Sequence, residues 1–228
     1  MHLVLLPGMD GTGALFRPLV RAVRDSATTS VVAYPADASL TYADLHAHVM
    51  DHLPRDREFV LVAESFSGPI ALSVAAMRPA GLRAVVLCAS FVSSPSRLLP
   101  RWLAPAIRAR MFKAAPFWIT SAMLLGRGAP PDLRLLLHRS LRLAGPEVLA
   151  ARTRQILRLD ARAPLSACPV PVLYLKGEDD RIVGPSNAKT ITALNPTVTV
   201  RSVASPHLVL QVAPDEAFEQ IWRFVSEL

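Results

Sequence analysis

Three short stretches far apart in the chain have the side chains that nucleophilic acyl transfer requires. Ser65 stands in the run VLVAESFSGPIAL, three adjacent acids (Glu178, Asp179 and Asp180) stand in GEDDR, and His207 stands in ASPHL. That chemistry needs a hydroxyl nucleophile, a base that takes its proton, and a carboxylate that orients the base. It also needs backbone N–H groups that stabilise an oxyanion, and the glycine-rich stretch PGMDGTG near the N-terminus can supply them.

These residues can meet only if the fold brings their loops together, and the hydrophobic pattern indicates how. Short apolar runs that predict strands alternate with segments that predict helices. The strand-like runs are 2–8, 30–36, 59–65, 82–90, 170–178 and, as an edge strand, 197–205, and the helix-like segments are 14–25, 41–53, 66–78, 185–194 and 214–227. This alternation predicts an α/β fold, with a mostly parallel six-stranded sheet flanked by helices. In such a sheet, ligands bind beyond the carboxyl ends of the strands, where all four polar loops lie.

Residues 91–165 interrupt the alternation and predict a helical cap inserted after the fourth strand. They contain helix-period stretches such as DLRLLLHRSLRL and EVLAARTRQILRL, and no convincing strand. The remaining residues, 1–90 and 166–228, form the predicted core. The chain has a net charge of +7, and the segment from Arg97 to Arg162 holds thirteen basic residues against three acidic ones. The excess positive charge therefore belongs to the cap.

The motifs, taken in order, resemble the α/β-hydrolase superfamily over essentially the whole chain, with the cap as the least specific part. They are Pro7-Gly8, the serine turn, G-x-x-D ending at Asp180, and Pro206-His207. The order Ser, Asp, His is the one that α/β-hydrolases use. The resemblance implies an α/β-hydrolase fold with a helical cap.

The resemblance also implies a role for each residue of the site. Ser65 would be the nucleophile and His207 the general base. Among the three adjacent acids, the G-x-x-D resemblance favours Asp180 as the one that holds the histidine tautomer, which leaves Glu178 and Asp179 as loop and N-cap acids. By family position, the backbone amides of Met9 and Phe66 would form the oxyanion hole. No cofactor is needed for this chemistry.

The turn at the serine departs from the usual G-x-S-x-G pattern, because Ala63 and Ser67 hold the glycine positions. Both residues are small, so they meet the steric demand of a tight turn. The alternative is an ordinary βα loop in which the Ser65 hydroxyl caps the helix. Glu64 and Asp10 are acidic neighbours for which several roles stay open: solvated charges, control of pH dependence, or rejection of anionic acyl groups.

These features predict a serine hydrolase that cleaves carboxylic esters with apolar acyl or alkyl groups, similar to carboxylesterases and to pimeloyl-carrier-protein methyl ester esterases. One alternative is a thioesterase or acyltransferase that acts on acyl groups bound to a carrier protein or coenzyme A. A further alternative is a non-catalytic binding module on a hydrolase scaffold. The arginines of the cap predict a solvated face or, as a second hypothesis, a contact with an acidic acyl carrier protein.

Several other classes of site and location are disfavoured by the sequence. His48 and His52 are spaced as zinc ligands can be, but no third ligand accompanies them, and we expect no metal site. Cys88 and Cys168 fit no metal or redox spacing. The basic segment shows no motif of interleaved basic and aromatic residues that would support nucleic-acid binding, so a nucleic-acid partner is not expected. Without a signal peptide or a transmembrane segment, the expected location is cytoplasmic.

Overall fold

A single sheet forms the centre of the molecule in the computed structural model, which describes residues 1–95 and 100–228. Its strands are β1 (His2–Leu6), β2 (Thr28–Val31), β3 (Phe59–Glu64), β4 (Leu82–Cys88), β5 (Val172–Gly177) and β6 (Thr199–Val203). They lie in the order β2-β1-β3-β4-β5-β6, and every neighbouring pair is parallel. The predicted six-stranded sheet is confirmed, as is the edge position of the last strand.

The helices lie before, between and after these strands. In chain order they are α1 (Arg17–Val23), α2 (Tyr42–Asp51), α3 (Gly68–Ala76), α4 (Ala109–Ala114), α5 (Phe117–Leu125), α6 (Pro131–Ala144), α7 (Pro146–Arg158), α8 (Arg162–Ser166), α9 (Ser186–Leu194), α10 (Val209–Val212) and α11 (Pro214–Ser226), with short 3-10 helices at Ala14–Phe16, Ser65–Ser67 and Arg101–Ala106. Within the described ranges, none of them is both long enough and apolar enough to cross a bilayer.

Alternation along the buried strands creates two apolar layers, one on each face of the sheet. Val4 and Leu6 of β1 join the layer that contains residues of α2, α3 and α9, whereas Leu3 and Leu5 join the layer built with α1 and α11. Successive side chains of a strand point to opposite faces, so a sheet covered on both sides needs continuous apolar runs. The central strand β3 shows this, since all of its residues are buried.

The helical insertion after β4 is confirmed, and its two ends meet at the core. Ser93 and Asp160 form an antiparallel bridge, and the Ala161 amide donates to the Val92 carbonyl at 2.7 Å. The chain therefore leaves the core and returns to it at neighbouring points. Residues 96–99 belong to the predicted cap, and Arg97 begins its basic segment, but they lie outside the described residues.

The second strand is shorter and earlier than the predicted run 30–36. Pairing with β1 along the ladder ends at Val31, and farther on the Tyr34 amide donates to the Gly11 carbonyl at 2.7 Å. The chain there follows the loop after β1 and no longer the strand itself. Val32 and Tyr34 are buried in the core, which explains why the segment has the apolar pattern of a strand without being one.

Candidate active site

The three residues that sequence analysis singled out for acyl transfer lie together at the carboxyl ends of the strands. His207 Nε2 is 3.0 Å from Ser65 Oγ, and His207 Nδ1 is 2.8 Å from Asp180 Oδ2. Both distances are those of hydrogen bonds. The residues form one chain from hydroxyl to imidazole to carboxylate, although 142 positions separate the serine from the histidine.

Ser65 occupies a strained turn directly after β3 and before α3. Its φ angle is 49°, in the left-handed region that non-glycine residues rarely adopt. Its carbonyl accepts a hydrogen bond from Ser90 Oγ at 2.6 Å. A Cβ atom added to Gly68 would lie only 1.9 Å from that same Ser90 oxygen, so glycine is required where α3 begins. Close packing of α3 against the end of β4 therefore holds the serine in its left-handed turn conformation.

Ser67, which stands at one of the expected glycine positions, ties three segments of the site together. Its hydroxyl donates to the carbonyl of Pro7 in the loop after β1, and the Tyr34 hydroxyl lies 2.6 Å from Ser67 Oγ. Because Ser67 donates to Pro7, Tyr34 is the donor in the second bond. Ala63, at the other glycine position, is completely buried in the core.

The geometry distinguishes Asp180 from its two acidic neighbours. Asp180 Oδ1 accepts backbone hydrogen bonds from Ile182 at 2.8 Å and Val183 at 2.9 Å, which leaves Oδ2 for His207. Glu178 and Asp179 are exposed. The loop thus fixes one carboxylate and directs it at the imidazole.

Gly177 allows the loop of the acid to touch the loop of the histidine. A Cβ atom at this position would lie 2.4 Å from the carbonyl oxygens of both Ser205 and Pro206. The Asp179 amide also donates to the Ser205 carbonyl at 3.1 Å. The glycine of G-x-x-D therefore has a steric reason here, because a side chain at that position would displace the backbone next to His207.

Met9 and Phe66 lie on the two loops that border the serine. The Gly11 amide donates to the Gly8 carbonyl at 3.0 Å, so Met9 is a central residue of a tight turn after β1. Phe66 follows Ser65 directly and is fully buried, with its ring stacked on Tyr42 at 4.6 Å between ring centres. Both backbone amides belong to segments that are fixed by neighbouring contacts, as an oxyanion hole requires.

Glu64, whose role the sequence left open, is buried and is not a solvated charge. It is 1% exposed, and its Oε1 atom has no hydrogen-bond partner within the described residues. Burial and the nearby Asp10 carboxyl raise the pKa of Glu64 to about 8, although Gln211 and the Gly8 amide act in the opposite direction. At neutral pH this carboxyl is therefore protonated. It lies against the loop after β1, since a Cβ on Gly8 would be 3.3 Å from Glu64 Oε2.

The raised pKa of Glu64 predicts a specific dependence of stability on pH. The folded protein holds this proton up to pH of about 8, whereas the unfolded chain releases it near the ordinary value of 4.5. The free energy of unfolding should therefore fall as pH rises between these two values and level off above them. Glu64→Gln should remove that part of the slope. Urea unfolding across the pH range would measure it.

Glu58→Gln is the matched control for this measurement, because Glu58 is exposed and sits just before β3 in a surface ion pair with Arg83. Its pH profile should stay parallel to that of the wild type. Equal slopes for the wild type and Glu64→Gln between pH 4.5 and 8 would contradict a buried, protonated Glu64.

Ser65 and His207 are buried, and a mostly apolar cavity lies between the cap and Met9 of the loop after β1. Ser65 is 8% exposed and His207 is 3% exposed. The cavity has a volume of about 690 Å³, and neither Ser65 nor His207 is among its lining residues. Its lining includes Met9 from the core and Phe117, Leu124, Leu141 and Leu149 from the cap helices.

Sequence reasoning did not identify Arg152 as part of this region. It treated the arginine as one of the basic residues of the cap that could contact a partner, but the side chain is 2% exposed. Because it is buried, Arg152 cannot contribute to such a surface. Its guanidinium donates to the Met9 carbonyl at 2.9 Å. No signal in the sequence distinguishes it from the exposed Arg158 on the same helix.

Comparisons with known proteins agree with this architecture. The chain is 26% identical to a stretch of polyketide synthase ThaQ from Burkholderia thailandensis over 96% of its own length, but it spans only 11% of that protein. An enol-lactonase from Burkholderia xenovorans superposes with a TM-score of 0.79 at 16% identity, covering 99% of this chain and 91% of the other. For a thermophilic esterase from Thermogutta terrifontis the TM-score is 0.78 at 18% identity, with 100% and 90% covered.

The structural neighbours share the fold at low identity, and the family assignment rests on a match in sequence. A sequence model of the alpha/beta hydrolase family matches residues 3–221, which include every strand of the sheet except the first residue of β1. The matched range also contains the serine turn, the Asp180 loop and His207. On this match and this fold, the chain belongs to the alpha/beta hydrolase family.

Proposed function

We propose that this protein is a serine hydrolase that cleaves carboxylic esters with apolar acyl groups. The observation that carries the proposal is the continuous hydrogen-bonded chain from Ser65 Oγ through His207 to Asp180. The elements of the site agree with it, since the nucleophile stands in a strained turn and the acid is fixed by two backbone amides. Esterases among the structural neighbours share this fold.

The mechanism follows from the roles that the geometry allows. Ser65 Oγ attacks the ester carbonyl while His207 Nε2 accepts the hydroxyl proton, and Asp180 stabilises the imidazolium that forms. The amides of Met9 and Phe66 donate to the oxyanion of the tetrahedral intermediate. His207 then gives its proton to the leaving alcohol. Water, deprotonated by the same histidine, releases the acid from the acyl-enzyme and regenerates Ser65.

The apolar cavity supports the choice of acyl group. Its volume of about 690 Å³ falls in the range of small-molecule sites. Most of its lining is apolar, and His138 adds one polar ring that stands edge-on to Phe117, with 4.9 Å between ring centres. Because Met9 lines the cavity and its amide belongs to the proposed oxyanion hole, we place the acyl chain of an ester bound at Ser65 in this space.

A series of p-nitrophenyl esters with acyl chains of increasing length tests the proposal. We expect the wild type to hydrolyse octanoate more efficiently than acetate, since longer chains bury more apolar surface in the cavity. Thr120→Trp, which fills part of the cavity, should lower kcat/KM for octanoate by about 10-fold or more and leave acetate nearly unchanged. The ratio of kcat/KM for the two esters is the measurement.

Ile119→Trp provides the control for added bulk in α5, because Ile119 is exposed and does not line the cavity. It should keep the octanoate-to-acetate ratio of the wild type. Absence of hydrolysis of every ester in the series would overturn the proposed function. Hydrolysis with an unchanged ratio in Thr120→Trp would overturn only the assignment of the acyl pocket.

A second candidate is the hydrolysis or transfer of acyl groups bound as thioesters to a carrier protein or coenzyme A. Two observations favour it: the match to a stretch of a polyketide synthase, and the surplus of positive charge in the cap. Arg158 is exposed and available to an acidic partner, unlike Arg152. The acylation chemistry at Ser65 would be the same, and only the leaving group and the acceptor would differ.

The two candidates separate when one octanoyl group is offered as a p-nitrophenyl ester, a coenzyme A thioester and a carrier-protein thioester. The second candidate predicts a higher kcat/KM for the carrier-bound octanoyl thioester than for octanoyl coenzyme A, and loss of this difference in Arg158→Glu. That result would identify the carrier-bound thioester as the substrate and the carrier protein as the acidic partner. Adding an alcohol acceptor and analysing products separates transfer from hydrolysis. Binding of esters without turnover would identify a non-catalytic module.

A further inference from the structure

Arg152 is a buried cation from the cap that lies against the oxyanion loop of the core. It belongs to α7, and its guanidinium crosses from the cap to donate to two backbone carbonyls of the core. Nη1 donates to Met9 at 2.9 Å, and Nη2 donates to Pro35 at 3.1 Å. Hydrogen bonds from a charged donor in a buried place are stronger than those between neutral groups.

The carbonyl of Met9 is part of the turn that would aim an amide at the reacting oxygen. Met9 lies between Gly8 and Gly11, which close the turn by a hydrogen bond. A turn of this kind can rotate its central peptide groups, and a guanidinium bonded to one carbonyl removes that freedom. Arg152 therefore fixes the orientation of the residue whose amide belongs to the proposed oxyanion hole.

Gly11 provides the space that this contact needs. It has a φ of +72°, and a Cβ atom built on it would lie 2.2 Å from Arg152 Nη1. A side chain at that position would displace the guanidinium. The glycine of the loop and the arginine of the cap thus fit each other, although 140 residues of sequence lie between them.

The same guanidinium also contacts the second residue of the proposed hole. Arg152 Cζ lies 5.7 Å from the centre of the Phe66 ring and 5.6 Å from that of Tyr34. At these distances the rings attract a cation. Tyr34 in turn bonds to Ser67, next to Phe66. One side chain from the cap therefore touches both hole residues and the segment that supports them.

We propose that Arg152 is a positioning residue, which orders the oxyanion hole of Met9 and Phe66 only when helix α7 of the cap is seated on the core. The inference rests on the proposed function, since it concerns the hole that serves acyl transfer at Ser65. It adds to that function a coupling between the cap and transition-state stabilisation. Substrate binding in the cavity and catalysis at Ser65 then depend on different parts of the same cap.

The first test compares Arg152→Met with the wild type. Methionine keeps an apolar stem of similar length but has no donor. We expect kcat to fall by about 10- to 100-fold with KM nearly unchanged, because the loss affects the transition state more than the bound ester. Affinity for octylboronic acid should fall by a similar factor. Its boron accepts an electron pair from Ser65 Oγ while the hydroxyl proton passes to His207, so the adduct resembles the tetrahedral intermediate.

Gln155→Met is the matched control, because Gln155 anchors the same helix without touching the hole. Its Nε2 donates to the Leu40 carbonyl at 2.8 Å. If Arg152 only held α7 in place, Arg152→Met and Gln155→Met would lower the thermal midpoint by similar amounts. The two variants would then also have similar kcat values and similar boronate affinities. A fall in kcat and boronate affinity that is confined to the Arg152 variant supports the proposal.

Arg152→Lys keeps the inference testable if the methionine variant does not fold. Lysine retains the charge but not the planar fork that bonds two carbonyls and stacks on rings. Its kcat and boronate affinity should lie below those of the wild type at similar KM. Wild-type values for both quantities in the lysine variant would overturn the inference. Hydrolysis of octanoate by the wild type is measured in parallel, so a failure of the proposed function is recognised separately.

Discussion

Ser65→Ala, His207→Ala and the double variant are each expected to lose about the same factor in kcat, roughly 10⁴- to 10⁶-fold. The two side chains act as one unit, because the hydroxyl is a poor nucleophile unless Nε2 of the histidine, 3.0 Å away, takes its proton. Once either member is removed, removal of the other costs little more. Single and double variants measured with the same ester would form a double-mutant cycle.

Labelling with a fluorophosphonate reports on the same unit by a different route. The wild type should form one adduct on Ser65, and Ser65→Ala none. Ser73→Ala, in the following helix α3, and His52→Ala, at the end of α2, are controls that should label and turn over as the wild type does. Equal labelling of Ser65→Ala, or losses in the two single variants that multiply in the double, would contradict the assigned roles.

Asp180→Asn should lower kcat by about 10⁴-fold while it leaves the loop intact. The amide oxygen of asparagine can keep the two backbone bonds from Ile182 and Val183, so its NH₂ group faces His207. Nδ1 must then accept a hydrogen bond, and the ring proton moves to Nε2. A protonated Nε2 cannot take the proton of Ser65. The His207 ring therefore keeps its position in this variant but has the inactive tautomer. The thermal midpoint should stay close to that of the wild type.

The neighbouring acids provide the controls for this variant. Glu178→Gln and Asp179→Asn change exposed side chains of the same loop by the same chemistry. Both should retain kcat within a few-fold of the wild type. A loss in either of them as large as the loss in Asp180→Asn would contradict the assignment of the acid.

Much of the fold was predictable because the signals lie in the chain itself. The continuous apolar runs of β1, β3, β4 and β5 indicated a sheet buried on both faces, and turn residues marked their carboxyl ends. Strand ends predicted that a serine, an acid and a histidine meet, and the resemblance to the hydrolase motifs selected Ser65, Asp180 and His207 among the candidates. The end of β2 was less predictable, since Val32 and Tyr34 are buried for packing against the core and not for strand pairing.

The parts that sequence reasoning missed depend on contacts to the backbone or on burial. Arg152 bonds to two carbonyls, and a carbonyl leaves no mark in a sequence because every residue has one. On an amphipathic helix with other arginines, nothing indicated which one turned inward. Glu64 did carry a signal: it ends β3, a strand whose other residues are all apolar and buried, and that position already favoured a buried carboxyl.

Ser67 has a consequence for how such proteins are recognised. A search pattern that insists on glycine two places after the nucleophile rejects this chain. Yet Ser67, the residue that departs from the pattern, connects three segments through its hydroxyl. These are the serine turn, the loop after β1 and the segment that follows β2. Glycine would satisfy the pattern and leave the buried Tyr34 hydroxyl without its acceptor. In this protein the residue that breaks the G-x-S-x-G pattern stabilises the serine turn. The size and hydrogen bonding of a residue at this position therefore predict such a turn better than the requirement for glycine does.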